Sequence, residues 1–201
     1  MMMKAQPMNW LRGVTFAAMA TSALPAFASE GPRYTYVELG YERINPDNFN
    51  DDADAGALSG SLAVADNVHV FAGYSYGQLD TSGISVDLES ADGGVGFHFP
   101  LSNTVDVVAE VAYLYAKVDA DQFGSEDDTG YGVNVGLRAM LTPKFELNGG
   151  VSYTDVSDSE TAGFAGVVYS FTDMFAVTAG VSVGQDVTSY GAGVRLYLGE
   201  K

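Results

Sequence analysis

The stretch GYGVNVGLRAML, Gly130 to Leu141, alternates without a break. Tyr131, Val133, Val135, Leu137, Ala139 and Leu141 form an apolar series, interleaved with Gly130, Gly132, Asn134, Gly136, Arg138 and Met140. Successive side chains of a strand point to opposite faces, so this period of two describes a strand with one apolar face and one small, polar or charged face. The segment from Val105 repeats the arrangement. Val105, Val107, Ala109, Val111, Tyr113 and Tyr115 fall on one side, and Asp106, Val108, Glu110, Ala112, Leu114 and Ala116 on the other.

Outward from these two segments, no window beyond Tyr34 shows a helical period, and turn residues punctuate further alternating runs. The reading is all-β, with ten strands at about 34–44, 54–65, 68–79, 86–99, 104–118, 129–141, 145–156, 161–171, 175–185 and 189–198. An eight-stranded count is the rival, since the weaker runs at 54–65 and 161–171 could belong to long loops.

The connections differ by position. Asp66-Asn67, Pro100 to Asn103, Thr142-Pro143-Lys144 and Thr172-Asp173-Met174 are tight, whereas 45–53, 80–85, 119–128, 157–160 and 186–188 read as mostly longer and acidic. Short turns at one end and longer loops at the other characterise an antiparallel up-and-down transmembrane β-barrel. The strands also reach the length a tilted crossing needs. Aromatics sort by height in the same frame. Tyr41, Tyr74, Tyr76, Tyr113, Tyr115, Tyr131, Tyr153 and Tyr190 lie toward the loop end, and Tyr34, Tyr36, Phe71, Phe97, Phe99, Phe145, Tyr169, Phe171 and Phe175 toward the turn end. Two such girdles are what a barrel needs at the two membrane interfaces.

Composition excludes several classes. The 201 residues include 9 Lys+Arg and 26 Asp+Glu, for a net charge of -17, so no basic surface exists to neutralise nucleic-acid phosphates. There is no cysteine, which removes disulfides, thiolate metal sites and cysteine nucleophiles. A hydrophobic content of 47% is too high for a disordered chain.

The first 28 residues read as a signal peptide and residues 29–201 as the barrel. Lys4 and Arg12 precede an apolar run from Gly13 to Leu24, and Ala26-Phe27-Ala28 supplies a small-x-small cleavage pattern before Ser29. The run is too short for a membrane helix and ends at Pro25.

Alternation places Glu38, Asp92, Asp106, Glu110 and Glu146 inside the barrel with Arg138 and Arg195. Glu38 and Arg195, on the first and last strands, are expected to pair across the closing seam. Arg138 is expected between Asp106 and Glu110 on one neighbouring strand and Glu146 on the other. Such a network reads either as a plug of paired charges or as the constriction of a narrow cation-preferring channel. His69 and His98 are the two histidines. His98, Asp106 and Ser102 can be named as a catalytic trio, but with so many Ser and Asp present a chance trio is the better account, and no catalytic residues are assigned. Among the external acids, Asp119, Asp121, Glu126, Asp127 and Asp128 are weak candidates for a Ca2+ or Mg2+ site. An EF-hand is excluded, because Phe123 and Gly130 stand where oxygen ligands belong. No cofactor is otherwise expected.

The segments YTYVELGYER (34–43), NVHVFAGYSYGQLD (67–80) and GVGFHFPLSNTVDVVAEVAYLYAKVD (94–119) resemble small outer-membrane β-barrel proteins of proteobacteria. In particular they are similar to the xanthomonad family first described as a secreted activator of a plant immune receptor. The resemblance implies an outer-membrane location and no established enzymatic activity. Barrels of this kind usually end in an aromatic residue read by the assembly machinery, whereas this chain ends VRLYLGEK. The sequence thus reads as an outer-membrane barrel of a Gram-negative bacterium with a structural or surface-interaction role. Membrane lipid, lipopolysaccharide and the barrel assembly machinery are its expected partners. The narrow channel is the alternative, and a barrel enzyme acting on lipid or peptide ranks below it.

Overall fold

Alternation of the Gly130–Leu141 kind recurs along the chain and yields ten strands, each hydrogen-bonded to its sequence neighbours. The computed structural model describes residues 31–46, 51–81, 84–120 and 124–198, so the signal-peptide reading lies outside the described residues. The strands are β1 (Tyr36–Pro46), β2 (Ala53–Ala65), β3 (Val68–Thr81), β4 (Ile84–Ser102), β5 (Val105–Ala120), β6 (Gly124–Thr142), β7 (Phe145–Val156), β8 (Asp158–Ser170), β9 (Phe175–Val183) and β10 (Val187–Tyr197). All neighbours are antiparallel, and β1 pairs with β10 from Tyr36↔Tyr197 to Pro46↔Val187. The sheet is therefore a closed ten-stranded barrel, and the eight-stranded count is set aside because 53–65 and 158–170 are full members of it.

Strand ends depart from the sequence reading mainly at the loop end. β4 and β6 run 19 residues each, and β6 absorbs much of what read as loop, including Glu126, Asp127 and Asp128. The link between β7 and β8 shrinks to Ser157, which adopts φ 64 and whose hydroxyl donates to Asp128 on β6. The external rim is thus largely an extension of the sheet, because ladder hydrogen bonds satisfy polar backbone as well above the membrane as within it.

The outer face is apolar through its middle. Val37, Leu39, Leu58, Val95, Val111, Val135, Leu137, Val151 and Val194 point outward, exposed by 40% or more. Tyr41, Tyr74, Tyr76, Tyr113, Tyr131, Tyr153 and Tyr190 flank this band toward the loops, and Phe97, Phe99, Tyr169, Phe171 and Phe175 toward the turns. Three aromatics assigned to the lower girdle do not belong to it. Tyr34, Tyr36 and Phe71 are buried in the lumen, since strict alternation puts them on the same face as Glu38, Gly40 and Gly73.

The interior is layered. Ile44, Ala53, Ala55, Leu79, Val86, Leu88, Ala120 and Val187 form an apolar cluster at the loop end. Phe71, Ala112, Leu114, Ala116 and Val156 pack in a second cluster. Glycines make this filling feasible at two positions. A Cβ at Gly94 would strike the Phe71 ring and the β5 backbone, and one at Gly150 would meet the Phe164 ring and the β6 backbone.

Placing Arg at Leu39, mid-band and 66% exposed, should destabilise the barrel in a bilayer by about 2–4 kcal/mol. The same change at Ser125 on the rim should leave stability within about 0.5 kcal/mol. Urea unfolding in phospholipid vesicles checks both.

Candidate functional site

The charged lumen lies toward the turn end, built by inward positions of β1, β3, β4, β5, β6, β7, β9 and β10. Glu38 and Arg195 are register partners across the seam. Arg195 Nε donates to Glu38 Oε2 at 2.6 Å, and the same carboxylate accepts from Thr178 at 2.9 Å. The Arg195 guanidinium lies 3.7 Å above the Tyr36 ring. Arg195 is 0% exposed and Glu38 5%, so each charge depends on the other and on the ring for what water would supply.

Arg138 sits in a second cluster. Its Nε donates to Glu146 Oε1 at 3.2 Å, and its guanidinium stacks 4.3 Å from the Tyr34 ring. Tyr34 also stacks on His98 at 3.6 Å between centroids, and the Tyr34 hydroxyl donates to Asp106 at 2.8 Å. Tyr34 precedes β1, so the incoming chain threads an aromatic ring into the periplasmic mouth and is held there by an arginine, a histidine and a carboxylate.

The expected bracketing of Arg138 is therefore corrected in part. Asp106 is its register partner but is hydrogen-bonded by Tyr34. Glu110 is held by His69 Nε2 at 3.0 Å and by Asn134 Nδ2 at 3.0 Å, because its register partner is Asn134 and not Arg138. Asp92 faces inward beside Gly73, where a Cβ would collide with its carboxylate. Glu42, 3% exposed, is a further inward acid that the sequence reading passed over, although the alternation from Glu38 through Gly40 already assigned it.

Ser102, His98 and Asp106 have separate partners. The His98 ring donates from Nε2 to the Asp66 carbonyl at 2.9 Å, and Ser102 Oγ lies 3.4 Å from Thr104 Oγ1. No hydrogen bond joins the three. A cavity of about 40 Å³ remains in the lumen, lined in part by Glu38, Glu42, Asp92, Asn148 and Thr178. A second space of about 10 Å³ lies among Ser152, Thr154, Glu160, Ser182 and Ser189, so Glu160 on β8 also turns inward.

On the outer surface, girdle tyrosines donate to acids on adjacent positions. Tyr41 donates to Asp54, Tyr74 to Glu89 at 3.2 Å, and Tyr131 to Asp155 at 3.3 Å. Arg43 and Asn45 both donate to Asp52 in the β1–β2 connection, and these bonds hold the Asp52 carboxyl below its usual range. Of the candidate metal ligands, Asp121 lies outside the described residues. Asp119 lies 3.7 Å from Lys117 Nζ, Asp128 accepts from Ser157, and Glu126 and Asp127 stand on β6 opposite Val118 and Lys117. Among the described residues, no three carboxylate or imidazole side chains converge as a metal site.

A family model described as an outer membrane protein beta-barrel domain matches residues 14–184. Among solved structures, the translocator domain of the autotransporter NalP from Neisseria meningitidis aligns at 10% identity and TM-score 0.51, over 83% of this chain and 89% of that one. Neisserial surface protein A aligns at 14% identity and TM-score 0.45, over 82% and 96% of the two chains. The attachment invasion locus protein Ail of Yersinia pestis, solved with the heparin analogue sucrose octasulfate, aligns at 16% identity and TM-score 0.45, over 81% and 97%. No curated protein matches the sequence.

Removing one partner of the seam pair strands a buried charge. Glu38→Ala should cost about 3–5 kcal/mol, and the double change Glu38→Ala with Arg195→Met should recover most of that loss. Urea midpoints of the refolded barrels, read by the mobility shift between unboiled and boiled protein, check it.

Proposed function

The chain belongs to the outer membrane protein beta-barrel domain family and resides in the outer membrane, and from that premise we propose that it is a non-conducting barrel with a structural and surface-interaction role. The observation that carries this reading is the filling of the lumen. Ile44, Leu79, Val86, Leu88 and Val187 close much of the loop end with apolar side chains, and Tyr34, His98, Arg138, Arg195 and Glu146 occupy the turn end. A permeating ion would have to leave water, cross an apolar layer and then break buried ion pairs, each of which opposes passage.

The surface that remains available is the rim. Its exposed acids disfavour polyanionic partners and suit cationic ones, including divalent ions that bridge to lipopolysaccharide phosphates. Tyrosine hydroxyls at Tyr41, Tyr74 and Tyr131 orient three of these carboxylates at the level where the girdle meets lipid headgroups. Membrane lipid and lipopolysaccharide are thus the partners in this reading, and the barrel assembly machinery delivers the chain after export through a cleaved signal peptide. Kinship with the xanthomonad family rests on segments 34–43, 67–80 and 94–119.

The narrow cation channel is the second reading, favoured by the excess of inward acids. Planar-bilayer recording on refolded, heat-modifiable protein separates the two. The proposed role predicts no stepwise current in wild type. It also predicts that replacing Leu79 and Leu88 together by Ser raises leak without creating a stable open level. Regular, salt-dependent, cation-selective steps in wild type would establish the channel instead.

A further inference from the structure

We propose that the lumen cavity holds one hydrated divalent cation of the Ca2+ or Mg2+ type between Glu42 and Asp92. The case starts from charge. Arg195 is engaged by Glu38, Arg138 by Glu146 and the His69 ring by Glu110. Among the described residues no basic side chain forms an ion pair with Glu42 or Asp92, although both line the same cavity. Two carboxylates turned from water without a counter-charge are costly, and Ser189 supplies Glu42 with only a neutral hydrogen bond.

A second observation is independent of the acids. Asn148 lines the cavity at 4% exposure, and neither its amide oxygen nor its amide nitrogen has a hydrogen-bond partner. Glu42 Oε1 and Asp92 Oδ2 are likewise without one. Buried polar atoms are nearly always satisfied, so three such groups around one space indicate an occupant. The occupant must be compatible with oxygen donors. Carboxylates, an amide carbonyl and a hydroxyl make a hard-cation set, and the two negative charges match a divalent ion.

Room and shell agree with this assignment. The cavity offers about 40 Å³, whereas a single water needs about 10–15 Å³ of such space, so an ion with retained waters fits. Glu38 also lines the cavity but is committed to Arg195 and Thr178, so two carboxylates are left for the ion and waters complete the coordination, with Asn148 and Thr178 as neutral supports. Inward Gly40, Gly73, Gly166, Gly180 and Gly191 keep the walls free of Cβ atoms. The site is distinct from the rim acids at Asp119 to Asp128, which lie on β5, β6 and their connection.

The cavity lies inside the closed barrel, so ions are best offered during folding. The protein is purified from outer membranes in detergent, unfolded in urea and refolded with EDTA, CaCl2 or MgCl2. Tightly held ions are then counted by mass spectrometry after external chelation, and the thermal midpoint is followed by the heat-dependent gel shift. Wild type refolded with Ca2+ or Mg2+ should retain one ion more per chain than the Glu42→Gln/Asp92→Asn variant. Its midpoint should rise by about 5 °C over the EDTA sample. The variant's midpoint should be independent of the cation and should exceed that of wild type in EDTA. Asn148→Ala keeps both charges and should weaken retention about tenfold.

Three results overturn the proposal. One is a wild-type barrel that retains no ion against external EDTA, whatever the variants do. Another is an equal ion count in wild type and both variants, which assigns the ions to the rim. The third is a wild-type midpoint that ignores cations but falls as pH rises from about 6 to about 9, which means that protons neutralise the pair.

Discussion

Backbone polarity in lipid is the constraint from which the architecture follows. Hydrocarbon offers no partner to a free N–H or carbonyl, so a sheet can span it only when its first and last strands meet. Here β1 and β10 meet along the full length of β1, from Tyr36↔Tyr197 to Pro46↔Val187. Pro46, which has no N–H to give, stands at the last position of β1, where the ladder is ending. Closure then fixes everything else about side-chain direction. One face of every strand meets lipid and the other meets its own barrel.

A ten-stranded cylinder encloses little space, and its inward side chains must fill that space with one another. Charges turned inward by alternation cannot be left to water. Glu38 and Arg195 answer this directly, and Tyr36 completes the arginine's surroundings. Tyr34 does the same for Arg138 while engaging His98 and Asp106. Buried ion pairs of this type contribute less to net stability than to register, since any slip by one residue would send Glu38 and Arg195 into lipid. The seam pair therefore ties the order of the strands to the chemistry of the lumen.

The outer half of the molecule follows a different logic. Strands continue past the membrane into the rim, so the acids of β4 and β6 are held on a rigid sheet and not on long loops. A carboxylate on a sheet edge keeps its spacing from its neighbours, and tyrosine hydroxyls below it restrict its rotamer. This gives the extracellular side a fixed pattern of negative charge, while the apolar cluster beneath it separates that pattern from the buried network.

Much of this was legible in the chain. Period-two alternation sufficed for strand number, the lipid-facing band and the inward position of Glu38, Asp92, Asp106, Glu110, Glu146, Arg138 and Arg195, because pleat direction is a local property. Local pattern also carried the family-level conclusion. Turn and loop lengths were less legible, since hydrogen-bond ladders extend into polar segments wherever a partner strand is present. Tyr34, Tyr36 and Phe71 were misplaced because height alone was read for them and face was not. What only the tertiary structure decided is which inward groups meet. Glu110 goes to His69 and not to Arg138, Tyr34 enters the mouth from outside the sheet, and Glu42, Asp92 and Asn148 share one cavity. Those outcomes depend on register and stagger around a closed ring, which couple residues far apart in sequence and leave no trace in any single segment.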